Sequence, residues 1–131
     1  MIGIVLVTHG QLAEEFRLAL EHVTGPQKAC VAVCIAPKDN IEEKRLEVLN
    51  AIEQVQDGKG VIILTDMFGG TPSNIAISAI DDSKTEIIVG VNLPMLIKLA
   101  NVRQTHSLDE CLTLSLEAAK KYTTIPSRIV I

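Results

Sequence analysis

Short apolar runs alternate along this chain with longer segments in which apolar residues recur every three or four positions. The short runs are rich in β-branched residues and are bounded by turn residues, a pattern typical of β-strands. Each run is continuously apolar, which predicts that the strands are fully buried between two layers, as in a parallel sheet. The predicted strands are 2–8, 30–35, 60–65 and 85–91.

The segments between the strands carry helix start and stop signals. Asn40 and Ser107 are each followed three residues later by glutamate, which predicts an N-cap at both positions. Thr71 followed by Pro72 predicts an N-cap and the first residue of another helix. The remaining helical segments are 12–23, which stops at Gly25-Pro26, and a short one around 94–99.

Regular alternation of strands and helices predicts right-handed βαβ units and an open, doubly wound α/β sheet. We expect the whole of 1–131 to form a single domain, since its length suits one core and no linker, repeat or low-complexity stretch interrupts it. A last β-branched run, 128–131, follows Pro126 and predicts a short C-terminal strand.

Composition narrows the class of protein. Hydrophobic residues make up 47% of the chain, but its aromatic residues are two phenylalanines and one tyrosine, so the core must be aliphatic. A formal charge of −4 argues against a general nucleic-acid binder. No apolar run reaches the roughly 20 residues that span a bilayer. We interpret the three cysteines as small buried hydrophobes and expect a cytoplasmic domain without membrane insertion.

Candidate chemistry lies just after the predicted strands, where ligands bind in doubly wound sheets. His9 follows the first strand and Asp66 follows the third. If these strands are neighbours, the Asp66 carboxylate can accept the Nδ1–H of His9 and leave Nε2 free as a nucleophile. A strand-end histidine with only a structural hydrogen bond and an aspartate that caps a turn are the alternatives.

The segment from Gly69 to Ser73 predicts an anion cradle. Two glycines allow close backbone approach, and the helix that follows presents free N–H groups at its start. Thr71 can both cap this helix and donate its hydroxyl to a phosphoryl oxygen. The segment lacks the Lys-Ser/Thr ending of a P-loop, so it gives no direct support for nucleotide binding. A histidine, an orienting carboxylate and an anion cradle together describe phosphoryl transfer.

Three stretches of the sequence resemble one known family. VLVTHG at 5–10, TDMFGGTPSN at 65–74 and GVNLPML at 90–96 are similar to the signature stretches of mannose-family enzyme IIA domains of the sugar phosphotransferase system. The resemblance implies that His9 is phosphorylated, that Asp66 is its hydrogen-bonding partner and that Thr71 contacts the phosphate, with Gly69, Gly70 and Ser73 beside it. No cofactor and no metal are implied.

The same resemblance implies partners and an assembly. His9 would accept its phosphoryl group from phosphorylated HPr and pass it to an enzyme IIB for sugar uptake. The sheet would have strand order 2-1-3-4, and the C-terminal strand would be exchanged between the two subunits of a homodimer.

Other interpretations remain open at the level of sequence. The phosphorylation state of His9 could instead regulate a partner protein, since no IIB segment follows in the sequence as printed. A small metal chelatase with His9 as a ligand is a remote alternative. Phe68 is either a docking contact or a core residue, and Asn92 either shapes the site or a subunit contact or simply forms a turn. His22 and His106 are predicted to lie on the surface.

Overall fold

The computed structural model describes residues 1–80 and 84–129 of the chain. Its strands are β1 (Gly3–His9), β2 (Cys30–Ile35), β3 (Val61–Thr65) and β4 (Thr85–Val89). Its α-helices are α1 (Leu12–Thr24), α2 (Ile41–Val55), α3 (Thr71–Ala79), α4 (Leu93–Val102) and α5 (Leu108–Lys121), and a short 3-10 helix follows at Pro126–Arg128. None of the helices in the described residues is both long enough and apolar enough to cross a membrane.

The described strands form one parallel sheet in the order β2-β1-β3-β4. This confirms the predicted α/β class and the strand order implied by the family resemblance. β1 lies between β2 and β3, with His9 opposite Ile35 on one side and Val7 opposite Thr65 on the other. The carboxyl ends of β1 and β3 are therefore adjacent, which is the arrangement that the candidate site requires.

Helices cover both faces of the sheet, so the core has two halves. Side chains of β1 and β3 alternate between them, as expected for the period of two along a strand. One half packs against α1, α4 and α5 and includes Leu6, Leu64 and Leu96. The other packs against α2 and α3 and includes Val7 and Ile63. Both halves are mainly aliphatic, as the composition predicts, and Phe16 packs against the first.

The prediction that all four strands are fully buried is wrong for the two outer strands. β1 and β3 are buried almost throughout, but β2 and β4 are only partly buried and Glu86 is exposed. Their position explains this, since in the described sheet each outer strand has a hydrogen-bonded neighbour on one side only. β4 also ends two residues earlier than predicted, because Gly90 turns the chain with φ +93.

Two predicted helix caps are confirmed and one is wrong. Asn40 accepts a hydrogen bond from the backbone N–H of Glu43, and Ser107 forms a complete capping box with Glu110. Thr71 is not an N-cap. Gly70 occupies that position in an extended conformation without a side-chain bond, and Thr71 is already the first residue of α3.

The side chain of Asn92 has a structural role. Its Oδ1 atom accepts from the backbone N–H of Met95 and caps α4, while its Nδ2 atom donates to the carbonyl oxygen of Ala119. Asn92 thus ties the start of α4 to the end of α5. Helix α4 runs to Val102, three residues beyond the predicted end.

The cysteines are free thiols in partly or fully buried positions. Cys30 and Cys34 pack against the core half that contains α1, and Cys111 lies within it. Burial raises the pKa of the Cys30 thiol to about 11. The thiol is therefore protonated at neutral pH and behaves as a small hydrophobe.

The C-terminal segment bears on the predicted strand exchange. Arg128 ends the 3-10 helix and Ile129 is extended and exposed, whereas Val130 and Ile131 lie outside the described residues. The exchange of residues 128–131 between subunits stays a prediction.

Candidate functional site

The structure brings His9 and Asp66 together at the carboxyl ends of β1 and β3. The Nδ1 atom of His9 lies 2.8 Å from Oδ2 of Asp66. The same oxygen accepts the backbone N–H of His9 at 3.1 Å, and Oδ1 accepts the backbone N–H of Met67 at 3.1 Å. Asp66 is thus held at both oxygens and holds the ring in turn.

The electrostatics of this pair define the tautomer of His9. Partial burial alone raises the pKa of Asp66, but the hydrogen bonds from the His9 ring and backbone N–H outweigh it, so the pKa falls below its ordinary value of 3.8. Asp66 is therefore ionised at neutral pH and can only accept hydrogen bonds. The proton of a neutral His9 ring must then reside on Nδ1, and the lone pair on Nε2.

The lowered pKa also gives the pair a pH-dependent share of stability. A carboxylate whose pKa is lower in the folded state than in the unfolded state stabilises the fold at pH values above its unfolded-state pKa. This contribution is lost as the pH falls through the lower pKa of the folded state. The loss therefore begins near pH 4 and continues below it, with 3.8 as the ordinary pKa.

The opposite edge of the ring lies against Gly70. A Cβ atom at position 70 would lie 2.6 Å from Cε1 and 3.0 Å from Nε2 of His9, so only glycine allows this approach. Gly69 has φ +84, a left-handed conformation that favours glycine. Glycine is therefore favoured at both positions of the predicted cradle for different steric reasons. Position 69 forms a left-handed turn, and position 70 contacts the His9 ring.

Helix α3 begins directly beside Nε2. The first hydrogen bond of the helix runs from the N–H of Asn74 to the carbonyl oxygen of Gly70. The backbone N–H groups of Thr71 and Ser73 come before it and therefore have no acceptor within the helix. The hydroxyl of Ser73 is buried and donates to the same Gly70 oxygen at 3.0 Å, which leaves the backbone N–H as the group that Ser73 can offer an anion. The side chain of Thr71 is exposed.

A cleft of about 350 Å³ opens beside His9 on the side of α2 and α3. Thr71 and His9 line it together, as the predicted phosphate contact requires. Its walls are otherwise mostly apolar, and its other lining residues are Gly10, Ile35, Ala36, Pro37, Asp39, Ile41, Lys44 and Ile75.

Two charged residues that line this cleft, Asp39 and Lys44, were not predicted as site residues from the sequence, which assigned Lys44 to the solvated face of α2. Lys44 belongs to the polar face of α2, and along the sequence it is indistinguishable from its charged neighbours. Only the packing of α2 beside the carboxyl end of β1 places it in the cleft. The signal in the sequence was the position of Ala36–Asp39 directly after β2, where a turn forms, since residues that follow strands are candidates in this fold class.

The remaining candidates lie in other environments. Phe68 is 74% exposed, so its interpretation as a core residue is wrong. His22 is exposed on α1, and His106 is half-buried with Nδ1 2.9 Å from Oγ1 of Thr105. Neither histidine lines the cleft. Within the described residues, no three histidine, cysteine or carboxylate side chains converge in a way that could hold a metal ion.

Comparison with known proteins identifies the family. Residues 3–115 match the family model described as "PTS system fructose IIA component", where PTS denotes the phosphotransferase system. The chain belongs to the mannose-type enzyme IIA family of this system.

Individual relatives of this IIA chain agree with that assignment. It is 34% identical over 123 residues to the PTS system mannose-specific EIIAB component of Escherichia coli K12, which covers 92% of this chain and 38% of that protein. The chain thus spans about two fifths of the length of that relative. Identity to the fructose-specific EIIA component of Bacillus subtilis 168 is 27% over 113 residues, or 86% of this chain and 77% of that one.

A solved structure shares the fold of this IIA chain. The phosphotransferase system component EIIA from Streptococcus agalactiae superposes with a TM-score of 0.89 at 24% identity, covering 98% of this chain and all of that one.

Proposed function

We propose that this IIA chain is a phosphocarrier in which His9 accepts a phosphoryl group from phosphorylated HPr and passes it to an enzyme IIB. The lone pair of Nε2 forms a bond to phosphorus while the phosphorus–nitrogen bond of the donor histidine breaks, and its electron pair returns to the donor ring. The reverse bond exchange delivers the group to IIB. Neither step needs a cofactor, because the activated group arrives on a protein.

One observation carries the proposal: the hydrogen bond between Nδ1 of His9 and Oδ2 of Asp66 leaves Nε2 as the nucleophile. As Nε2 bonds to phosphorus, positive charge develops on the imidazole ring. The carboxylate of Asp66 lies at the right position to stabilise that charge and to keep the proton on Nδ1.

The start of α3 supports the proposal from the other side of the ring. Since Gly70 packs against Nε2, a phosphoryl group on that atom lies close to the first N–H groups of α3. Those groups and the helix dipole favour negative charge. The hydroxyl of Thr71 adds a donor on the cleft side.

The names of two relatives specify mannose and fructose for those proteins. The proposed role of His9 is to carry a phosphoryl group, and it involves no contact with the sugar. We expect the protein to work in the cytoplasm, where HPr and IIB meet the inner side of a transport system. Its membrane contact would then be indirect, through IIB.

The direct test is phosphorylation of the purified protein with phosphoenolpyruvate, enzyme I and HPr, followed by intact mass measurement under alkaline conditions. His9→Ala should abolish the mass shift without loss of the fold, because His9 lies at a strand end. His22→Ala and His106→Ala are matched controls that should still be labelled. Undiminished labelling of the His9 variant would refute the proposal.

A second stage of the same assay tests delivery. Labelled protein incubated with candidate IIB domains should lose its phosphoryl group to one of them, with the wild-type rate in the two control variants. Labelling that no IIB domain relieves would instead favour the regulatory role of the phosphohistidine.

A further inference from the structure

Beyond His9, Asp66 and the start of α3, the cleft contains a cation. Lys44 of α2 lines the same cleft as His9 and Thr71, and no other lysine or arginine of the described residues does so. Its side chain is only 20% exposed, a low value for lysine, and forms part of the cleft wall. The neighbouring Arg45 does not line the cleft and pairs with Glu42 at 3.5 Å.

The ammonium group of Lys44 is already paired when His9 carries no phosphate. It donates to Glu47 at 2.9 Å and lies 3.7 Å from Asp39. The hydrogen bond to Glu47 raises the pKa of Lys44, so the group is fully charged at neutral pH. The Glu47 side chain is 49% exposed, so water can take the place of the ammonium group beside it. Breaking this ion pair therefore costs little free energy.

Phosphorylation changes the charge balance of the cleft. A phosphoryl group adds about −1.5 to −2 charges near neutral pH. It enters a site that already holds the carboxylate of Asp66 beside the ring and that of Asp39 in the cleft. The oxygens of Asp39 are partly committed, since Oδ2 accepts the backbone N–H of Ala36 at 2.7 Å. Among the described residues that line the cleft, Lys44 alone supplies an opposing full charge.

We propose that Lys44 binds the phosphoryl group on His9, and that its ammonium group moves from Glu47 to a phosphoryl oxygen when His9 is phosphorylated. The inference rests on the proposed phosphocarrier function. Lys44 stabilises the phosphorylated state and leaves the nucleophile itself unchanged. The mostly apolar walls of the cleft strengthen the attraction, because charges interact more strongly where water is scarce.

The test compares three variants of α2 in the full chain. Lys44→Met removes the charge and keeps most of the stem, Lys44→Arg keeps the charge, and Arg45→Gln is the matched control for net charge. Each is phosphorylated with HPr, and its phosphohistidine is followed by ³¹P NMR over a range of pH. The same samples give the fraction of His9 phosphorylated at a fixed ratio of phospho-HPr to HPr.

We expect Lys44→Met to lower the phosphorylated-to-free ratio about threefold to tenfold, the range for a partly buried ion pair. The pKa of the phosphoryl group, read from its ³¹P shift, should rise in this variant because a nearby positive charge is lost. Lys44→Arg should restore both quantities at least in part, and Arg45→Gln should match the wild type.

Two results would overturn the inference. One is a wild-type phosphoryl pKa and occupancy in Lys44→Met. The other is an equal loss of occupancy in Glu47→Gln. This variant removes the nearer of the two carboxylates that pair with Lys44 and should preserve or raise the occupancy of His9. An equal loss would show that the effect arises from the ion pair of the unphosphorylated protein. Failure of the phosphocarrier proposal looks different, since the wild-type protein would then not be labelled at all.

Discussion

At the scale of single residues, His9 is held on two edges by different kinds of contact. Asp66 fixes the Nδ1 edge through a charged hydrogen bond, and Gly70 fixes the Nε2 edge through the absence of a side chain. The first contact sets the tautomer and the second sets the space around the nucleophile. The two can be separated by substitution.

Asp66→Asn tests the charged contact. The amide keeps the shape of the side chain but loses the negative charge, and its N–H₂ group can face Nδ1 and move the ring proton to Nε2. We expect phosphoryl transfer from phospho-HPr to slow by about 10²- to 10⁴-fold, the range for lost proton or charge assistance. Rapid-quench kinetics measures the rate. A wild-type rate would show that Asp66 serves only the turn after β3.

Gly70→Ala tests the steric contact. Gly70 has φ −88, which alanine adopts without strain, so the methyl group acts by displacing the His9 ring. Transfer should slow at least tenfold, a factor that corresponds to about 1.4 kcal/mol of transition-state free energy.

Gly69→Ala is the matched control for this substitution. A Cβ at position 69 meets no atom within 4 Å, but the residue has φ +84. It should cost about 1–2 kcal/mol of folding free energy from backbone strain, with a smaller effect on transfer. Urea unfolding and transfer assays check both variants. If Gly69→Ala mainly slows transfer and Gly70→Ala mainly lowers stability, the steric roles assigned to the two glycines are wrong.

At the scale of elements, the start of α3 combines a structural and a chemical role in adjacent residues. The helix begins without a side-chain cap on Gly70, and its first turn is tied instead by the Ser73 hydroxyl to the Gly70 carbonyl. This leaves Thr71 with no capping duty and its side chain in the cleft.

Thr71→Val and Ser73→Ala should affect different properties, phosphoryl transfer in the first variant and folding stability in the second. Thr71→Val removes the exposed hydroxyl with little change in volume, so transfer should weaken while the free energy of unfolding stays within about 0.5 kcal/mol, as for other surface changes. Ser73→Ala removes a buried hydrogen bond and should cost about 1 kcal/mol of stability. Parallel urea titrations and transfer assays check both. Equal rates of transfer in the wild type and in Thr71→Val would show that the Thr71 hydroxyl does not contact the phosphoryl group.

At the scale of the whole molecule, the described sheet ends in an open edge. β4 pairs with β3 on one side, and its other side has no strand partner in residues 1–80 and 84–129. Exposed Ile125 and Ile129 follow α5. An unpaired strand edge and an apolar segment are both sites of association unless something covers them. These features favour the exchanged-strand homodimer that the family resemblance implies.

Deletion of 128–131 tests that assembly. We expect the full chain to be a dimer by light scattering, and the truncated chain to shift toward monomer and to aggregate, since the edge of β4 is then left open. His9 lies at the carboxyl end of the central strand β1, so the soluble fraction should still be labelled by phospho-HPr. A monomeric full-length protein, or a truncated one that stays fully dimeric and equally stable, would contradict the prediction.

Local sequence patterns predicted the helices and strands and, within the site, the positions of His9 and Asp66. Short apolar, β-branched runs bounded by turn residues located all four strands to within two residues at either end. Burial of both faces explains the continuous apolarity of the central strands β1 and β3. The capping residues Asn40 and Ser107 located two helix starts, because their hydrogen bonds reach only three residues along the chain. His9 and Asp66 were candidates from position alone, since each directly follows or ends a strand.

Local patterns did not decide which of these elements meet: only the family resemblance implied the strand order, and the tertiary structure confirmed it. The adjacency of β1 and β3, which places Nδ1 of His9 2.8 Å from Asp66, depends on strand order, and strand order leaves no periodic signal in either strand. The exposure of β2 and β4 depends on their position in the sheet. Lys44 has the same neighbours in sequence as any surface lysine, and it lines the cleft because of the way α2 packs on the sheet. Contacts between residues far apart in sequence arise from packing, and local periodicity cannot encode them.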